Sequence, residues 1–356
     1  MKYDKLQIVG LPKAQKRNKM GMKTLLLPLL ACVMSVSVSC SRPSLEPTES
    51  EQNLMGQITR ILEVRKQLAD SFWPEFDRVE LSAPMVFYED SVCYVVNPKE
   101  KFLKDIPCER IRAKGFDFYK TARLDESTFR MDTHVDLYSD STYTGRDAYV
   151  MCSTLGESQR MFSDIEDETQ WIPMVIHELA HGCQDAHPEH YKARQEAEYP
   201  VFELDLLTYP SQYPWLADML AAENGYLLSA ISGDDRDEVK ASVNSFLESR
   251  RIRKEKMLTV FGDSLVREEE SFETAESMAR FMEVQSTLML GKGGQDAIVD
   301  APFYSRNVTQ AYFFVTSYNL VRLFVKLGID LDLPYRTTEH QPLEAFLITW
   351  LQVETN

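Results

Sequence analysis

His177-Glu178-Leu179-Ala180-His181 is an HExxH sequence, and its residue types and spacing fit one kind of chemistry. On a helix, side chains at i and i+4 share a face with their Cβ atoms about 5–6 Å apart, so His177 and His181 can hold one metal ion. Glu178 lies about 100° further round the helix, where its carboxylate can reach an activated water without ligating. The flanks, Trp171 to His187, suit a helix packed inside a protein. Asp167 or Thr169 can cap it, Pro173 falls in the first turn, and Ile172, Val175, Ile176 and Leu179 give an apolar surround. The bland reading of the same residues is a pair of satisfied histidines on a buried helix.

A working zinc site takes three protein ligands and one open position. His187 stands ten residues after His177, but Gln184 occupies the place where a glycine would turn the chain back toward the metal. Two downstream glutamates are better placed. Glu223 sits in the apolar stripe of a helix over Trp215 to Ile231, among Leu216, Leu220, Leu227 and Ala230, and a buried carboxylate there needs a metal or a cationic partner. Arg250, Arg251 and Arg253, near the end of a helix over Glu238 to Met257, are possible partners. Glu276 lies on a helix over Glu268 to Leu290, in a stripe formed by Glu269, Glu273, Glu276, Arg280 and Glu283 beside an apolar face of Phe272, Ala275, Ala279 and Met282.

The stretch Glu273 to Phe281 resembles the E-G-x-A-E-[FY] helix of collagenase-like and related gluzincin peptidases. In that family the first glutamate of the motif binds zinc, and it falls on Glu276, with Ala279 and Phe281 also matching. Ser277 replaces the glycine and Arg280 the second glutamate. The wider layout, from about Pro84 to Leu327, resembles uncharacterised bacterial exported proteins of the same clan. It includes HExxHxxQ (His177, Glu178, His181, Gln184) and a late Ala311-Tyr312 pair. The resemblance implies zinc on His177, His181 and Glu276, with Glu223 as the rival third ligand. Glu178 becomes the general base. A hydroxyl or imidazole would help to hold the oxyanion, and Tyr312 is the candidate, with Tyr318 and His340 behind it.

The elements that must position these residues follow from the texture of the chain. Its 356 residues, 44% of them hydrophobic, are ample for a sizeable core. Residues 1–39 read as a signal peptide: lysines and an arginine from Lys13 to Lys23, then an apolar run from Leu25 to Val38 too short to span a membrane stably. Read from Met22 it has ordinary length, which makes the residues before it an upstream start. Ser37-Val38-Ser39-Cys40 resembles a lipoprotein lipobox, so Cys40 is the expected lipidation site and the bacterial cell envelope the expected location. Simple secretion or a single anchor helix is the other reading. Residues 40–53, rich in Ser, Pro and Glu, read as a tether.

Residues 54–170 read as an N-terminal α/β part. It opens with an amphipathic helix from Leu54 to Phe72, followed by short β-prone runs at Met85–Tyr88, Val92–Val96, Phe116–Tyr119, Val135–Tyr138 and Ala148–Cys152. They make a small mixed sheet, with Ala148–Ser153 as the last strand before the metal helix and a candidate edge for an extended peptide. Residues 171–356 read as a helical metal-binding part that ends in an apolar helix from Thr309 to Leu327, and the two parts form one catalytic unit. The fold class is α+β, mostly helical, with a zincin-like core.

Net charge is −16, and −22 (32 basic against 54 acidic residues) once the segment ahead of Cys40 is set aside. So acidic a chain is a poor partner for nucleic acid or an anionic lipid surface. Cys93, Cys108, Cys152 and Cys183 match no zinc-ribbon spacing and read as buried thiols or one disulfide. The expected function is a lipid-anchored, zinc-dependent peptidase acting on peptide or protein substrates. The alternative is a catalytically inactive zinc-binding or structural surface lipoprotein.

Overall fold

A computed structural model describes residues 44–135, 148–190, 205–291, 308–337 and 341–355, apart from the side chains of 105, 134–135, 205–208, 308–312 and 354–355. The signal segment, Cys40 and His340 lie outside the described residues. The first helix, α1 (Glu49–Ser71), opens in a capping box, with the Thr48 hydroxyl accepting from the Glu51 amide and the Glu51 carboxylate accepting from the Thr48 amide. The expected tether over 40–53 is therefore built into the fold from Leu45 onward. The Leu45 amide donates to Arg110 O at 2.9 Å and its carbonyl accepts from Arg112 N at 2.8 Å. The cap residues Thr48 and Glu51 decide this stretch, and its polar composition does not.

Six strands follow: β1 (Met85–Glu89), β2 (Val92–Val96), β3 (Glu109–Ile111), β4 (Phe118–Ala122), β5 (Met131–Val135) and β6 (Ala148–Ser153). Their order is β3-β4-β2-β1-β6-β5, with β1 and β6 parallel and every other pair antiparallel. Side chains alternate between faces along a strand. Met85 and Phe87 of β1 and Ala148, Val150 and Cys152 of β6 point into the main core with α1. Val86, Tyr88, Tyr149 and Met151 point into a smaller core closed by Phe102 of α2 (Glu100–Asp105). Both faces are covered, so these strands are apolar almost throughout.

The order corrects the expectation for Ala148–Ser153. β6 lies inside the sheet between β1 and β5, and the edge is β5, displaced N-terminally from the predicted Val135–Tyr138 strand, whose residues 136–138 lie outside the described set. Strand order is a tertiary property, and alternation along the sequence carries no record of it.

After α3 (Leu155–Met161) comes α4 (Glu168–Asp185), the HExxH helix, capped by the Asp167 carboxylate accepting from Thr169 N at 2.8 Å. With Asp167 as the cap, Pro173 falls in the second turn and not the first, where it removes one helical donor. Two contacts seat α4 on the sheet. The Trp171 indole donates to Ser153 O at 3.0 Å. A Cβ at Gly182 would come within 2.6 Å of Ala83 Cβ and 3.2 Å of Val150 Cγ2, so only glycine lets the helix approach so closely.

The rest is helical: α5 (Asp205–Gln212), α6 (Pro214–Ser232), α7 (Arg236–Phe261), α8 (Asp263–Met289), α9 (Val308–Leu327) and α10 (Glu344–Thr355). The helix predicted to be the last, α9, is followed by α10, whose Phe346 and Leu347 enter the main core. Leu216 and Leu220 of α6, Met257 of α7, Phe272 of α8 and Phe313 of α9 make a further core. The mostly helical α+β class is as read from the sequence. Cys93, Cys108, Cys152 and Cys183 are free thiols. Among the described residues no helix is long and apolar enough to cross a membrane.

Through the middle of the helical part runs a buried ion network. Arg253 binds Glu223 through Nε at 2.6 Å and Nη2 at 3.0 Å, and binds Glu269 at 2.5 and 2.7 Å. Arg250 binds Glu273 and lies 3.3 Å from Glu344 and 3.4 Å from Glu269, while Lys254 joins Glu344 to Glu270. Glu223, Glu269, Glu270, Glu273 and Glu344 outnumber Arg250, Arg253 and Lys254 by two. Burial accordingly pushes Glu273 up, with the Glu269 and Glu344 charges adding to it against the pull of Arg250, to about 8. Removing Glu223 leaves the Arg253 Nε–H buried without its acceptor. Glu223→Ala should therefore cost ~3–5 kcal/mol in urea unfolding; a loss below ~1 kcal/mol would mean that the network contributes little.

Candidate metal centre

α4 and α8 pack along their length, and that contact brings three predicted ligands together. The Nε2 atoms of His177 and His181 lie 3.0 Å apart. Glu276 faces both, with Oε2 at 3.6 Å from His177 Nε2 and Oε1 at 3.5 Å from His181 Nε2. Among the described residues these three alone form a set of His, Cys, Asp or Glu side chains able to hold a metal ion, all donor atoms lying within 4.8 Å of one another.

The opposite edges of the two imidazoles are already engaged. Gln184 Nε2 donates to Ala275 O at 3.0 Å and to the Tyr335 hydroxyl at 2.9 Å. Since Ala275 O can only accept, the Gln184 amide orientation is fixed, and its Oε1 receives the proton on His181 Nδ1 at 3.0 Å. His177 Nδ1 lies 2.9 Å from Glu283 Oε2, an ion-pair contact out of line for a strict hydrogen bond. Burial opposes the charge on Glu283, but Arg280 and His177 outweigh it and hold the carboxyl at about 2. Both rings are thereby set with Nδ1 toward an acceptor and the Nε2 lone pair toward the other ring.

Two lone pairs 3.0 Å apart repel unless a proton or a cation lies between them. Burial and the Arg280 charge oppose a proton on His177, yet Glu283 and Glu276 prevail and its pKa is raised. The same arrangement fits a metal. A tetrahedral ion with bonds of about 2.0–2.1 Å sets neighbouring ligand atoms about 3.3 Å apart; the imidazole nitrogens are 3.0 Å apart, and Glu276 offers Oε2 to one ring at 3.6 Å and Oε1 to the other at 3.5 Å. Two imidazoles and a carboxylate, each ring steadied by an acceptor behind it, make a donor set that suits zinc.

Glu178 follows His177 on α4 and is buried. Its carboxylate accepts from the Thr133 hydroxyl of β5 at 3.1 Å, and that hydroxyl also lies 2.8 Å from Glu178 O. Glu223 is not with the histidines; it is held by Arg253 and Arg250 in the ion network. His187 turns away to Asp332, with Nε2 3.2 Å from Oδ1, and its ring lies beside Tyr335. Tyr318 is buried against Phe281, and no described contact links it to the histidine pair. Tyr312 is on α9, and its side chain is outside the described residues.

Gln184 was legible as part of HExxHxxQ, and Glu283 as a member of the α8 stripe, though neither had been given a task. Thr133 had no sequence signal, since its role depends on which strand lies beside α4. Arg280, standing where the gluzincin motif has its second glutamate, pairs with Glu283 and lies 4.0 Å from Glu276.

Removing an outer partner of a ligating histidine typically weakens metal affinity about 10–100-fold, and Gln184→Ala should do so by zinc titration. Glu276→Gln should strip zinc with a modest fall in melting temperature, whereas any Glu223→Ala protein that folds should keep it. Zinc retained by Glu276→Gln and lost from Glu223→Ala would reverse the assignment. No family model matches this chain, and neither a curated protein nor a solved structure matches it.

Proposed function

We propose that this protein is a zinc-dependent peptidase of gluzincin type, with His177, His181 and Glu276 holding the metal and peptides or proteins as substrates. The observation that carries the reading is the convergence of those three donors, with Glu178 next to His177 on the same helix. Zinc, when bound, would supply a Lewis acid that brings the pKa of a water to about 7 and polarises the scissile carbonyl. Glu178 takes the proton from that water as it attacks and then passes it to the leaving amine, so the carboxylate is restored at the end of the cycle. Glu283 and Gln184 keep the two imidazole rings in one tautomer throughout. Tyr312 is the proposed donor to the oxyanion. The lipobox-like sequence ending at Cys40 supports anchoring at the cell envelope, where the zincin-like core would face exported substrates.

The test is metal content and turnover measured on one preparation. The purified protein should carry about one zinc per chain and cleave members of a peptide library. Glu178→Gln should keep the zinc and lose turnover by a factor of about 100 or more, as removal of a general base does. Zinc at full occupancy with no peptide cleaved would favour the inactive zinc-binding lipoprotein instead.

A further inference from the structure

The edge strand β5 sends one side chain to Glu178. Thr133 lies at the middle of β5, paired with Val150 of β6, and its side chain points toward α4. Its hydroxyl reaches two oxygens of a single residue, the main-chain carbonyl of Glu178 at 2.8 Å and the Oε2 of its carboxylate at 3.1 Å. A threonine hydroxyl has one proton to give and two lone pairs to receive. When Glu178 is ionised, a bond to the charged oxygen is the stronger of the two choices. Among the described residues nothing else bonds to Oε2, and Oε1 accepts no hydrogen bond.

We propose that Thr133 is a positioning residue for Glu178. It holds the carboxylate by Oε2 and leaves Oε1 as the oxygen that exchanges protons. This rests on the reading of Glu178 as the general base. During the cycle Thr133 neither gains nor loses a proton. A water gives its proton to Oε1, and Oε1 later gives it to the leaving amine. While the carboxyl is neutral, the Thr133 hydroxyl turns its proton to the Glu178 carbonyl, so it stays bonded in both states without moving its oxygen. Two acceptors within reach of one rotor make this possible.

The experiment compares Thr133→Val and Thr133→Ser in the zinc-loaded protein. Valine keeps the branched shape that suits a strand and removes only the hydroxyl. Thr133→Val should lower kcat about 10–100-fold with KM and zinc content unchanged, and Thr133→Ser should stay within about threefold of the parent, the range expected for loss and retention of one outer hydrogen bond. In crystal structures Glu178 should leave its present rotamer in the valine variant and keep it in the serine variant. Wild-type kcat in Thr133→Val, or a loss matched by lost zinc, or an unmoved Glu178, would overturn the proposal. Should the valine variant not fold, Thr133→Ala against Thr133→Ser makes the same comparison. If the parent binds zinc and cleaves nothing, the peptidase reading fails, and the Glu178 rotamer in the variant structures still decides the role of Thr133.

Discussion

One face of α8 is charged along most of its length and buried along most of it too. Glu269, Glu273, Glu276, Arg280 and Glu283 follow one another in steps of four, three, four and three, which keeps them on a single stripe of the helix. A stripe of this kind cannot be left in an apolar interior, because an unpaired buried carboxylate costs several kcal/mol or gives up its charge. The fold answers in two segments. The first two glutamates turn to Arg250 and Arg253 of α7, and the last three residues turn to the histidines of α4. The candidate metal centre is thus one end of a continuous charged seam, and sliding α8 along either neighbour would unpair both ends at once.

The histidines are aimed by what grips α4 from its other sides. Gly182 lets the helix settle against Ala83 and Val150, while Trp171 ties its first half to Ser153 of β6. Gln184 ties its last turn to Ala275 O, the carbonyl beside Glu276. These contacts, spread along the helix, set its rotation as well as its place, and rotation decides whether His177 and His181 face α8 or solvent. Positions i and i+4 guarantee only that the two rings share a face.

Much of this was legible in the chain, and the parts that were not share a cause. Periodicity located α4, α6, α7, α8 and four of the six strands, because each buries a face of fixed period. It also flagged Glu223 and Glu276 as carboxylates needing partners, without saying which partner belonged to which. That choice depends on helix packing: α7 lies between Glu223 and the stripe of α8, and its arginines claim the former. The edge position of β5, the task of Thr133 and the docking of α10 are likewise facts of tertiary order. The tether was misread for a different reason, since Thr48 and Glu51 form a local cap that composition averages away.

The local charge balance bears on what the histidines are for. Glu276 and Glu283 lie against the pair, and Arg280 is the cation set beside them. Two carboxylates against one guanidinium leave one negative charge beside two imidazoles whose Nε2 atoms face each other. Glu283 and Glu276 raise the pKa of His177 against burial and the Arg280 charge. In the proposed reading a divalent cation would accept both lone pairs and take the Glu276 carboxylate as a third ligand. A structural histidine pair on a buried helix would need no such field. The carboxylates set against these two rings are the physical support for the proposal that they are ligands.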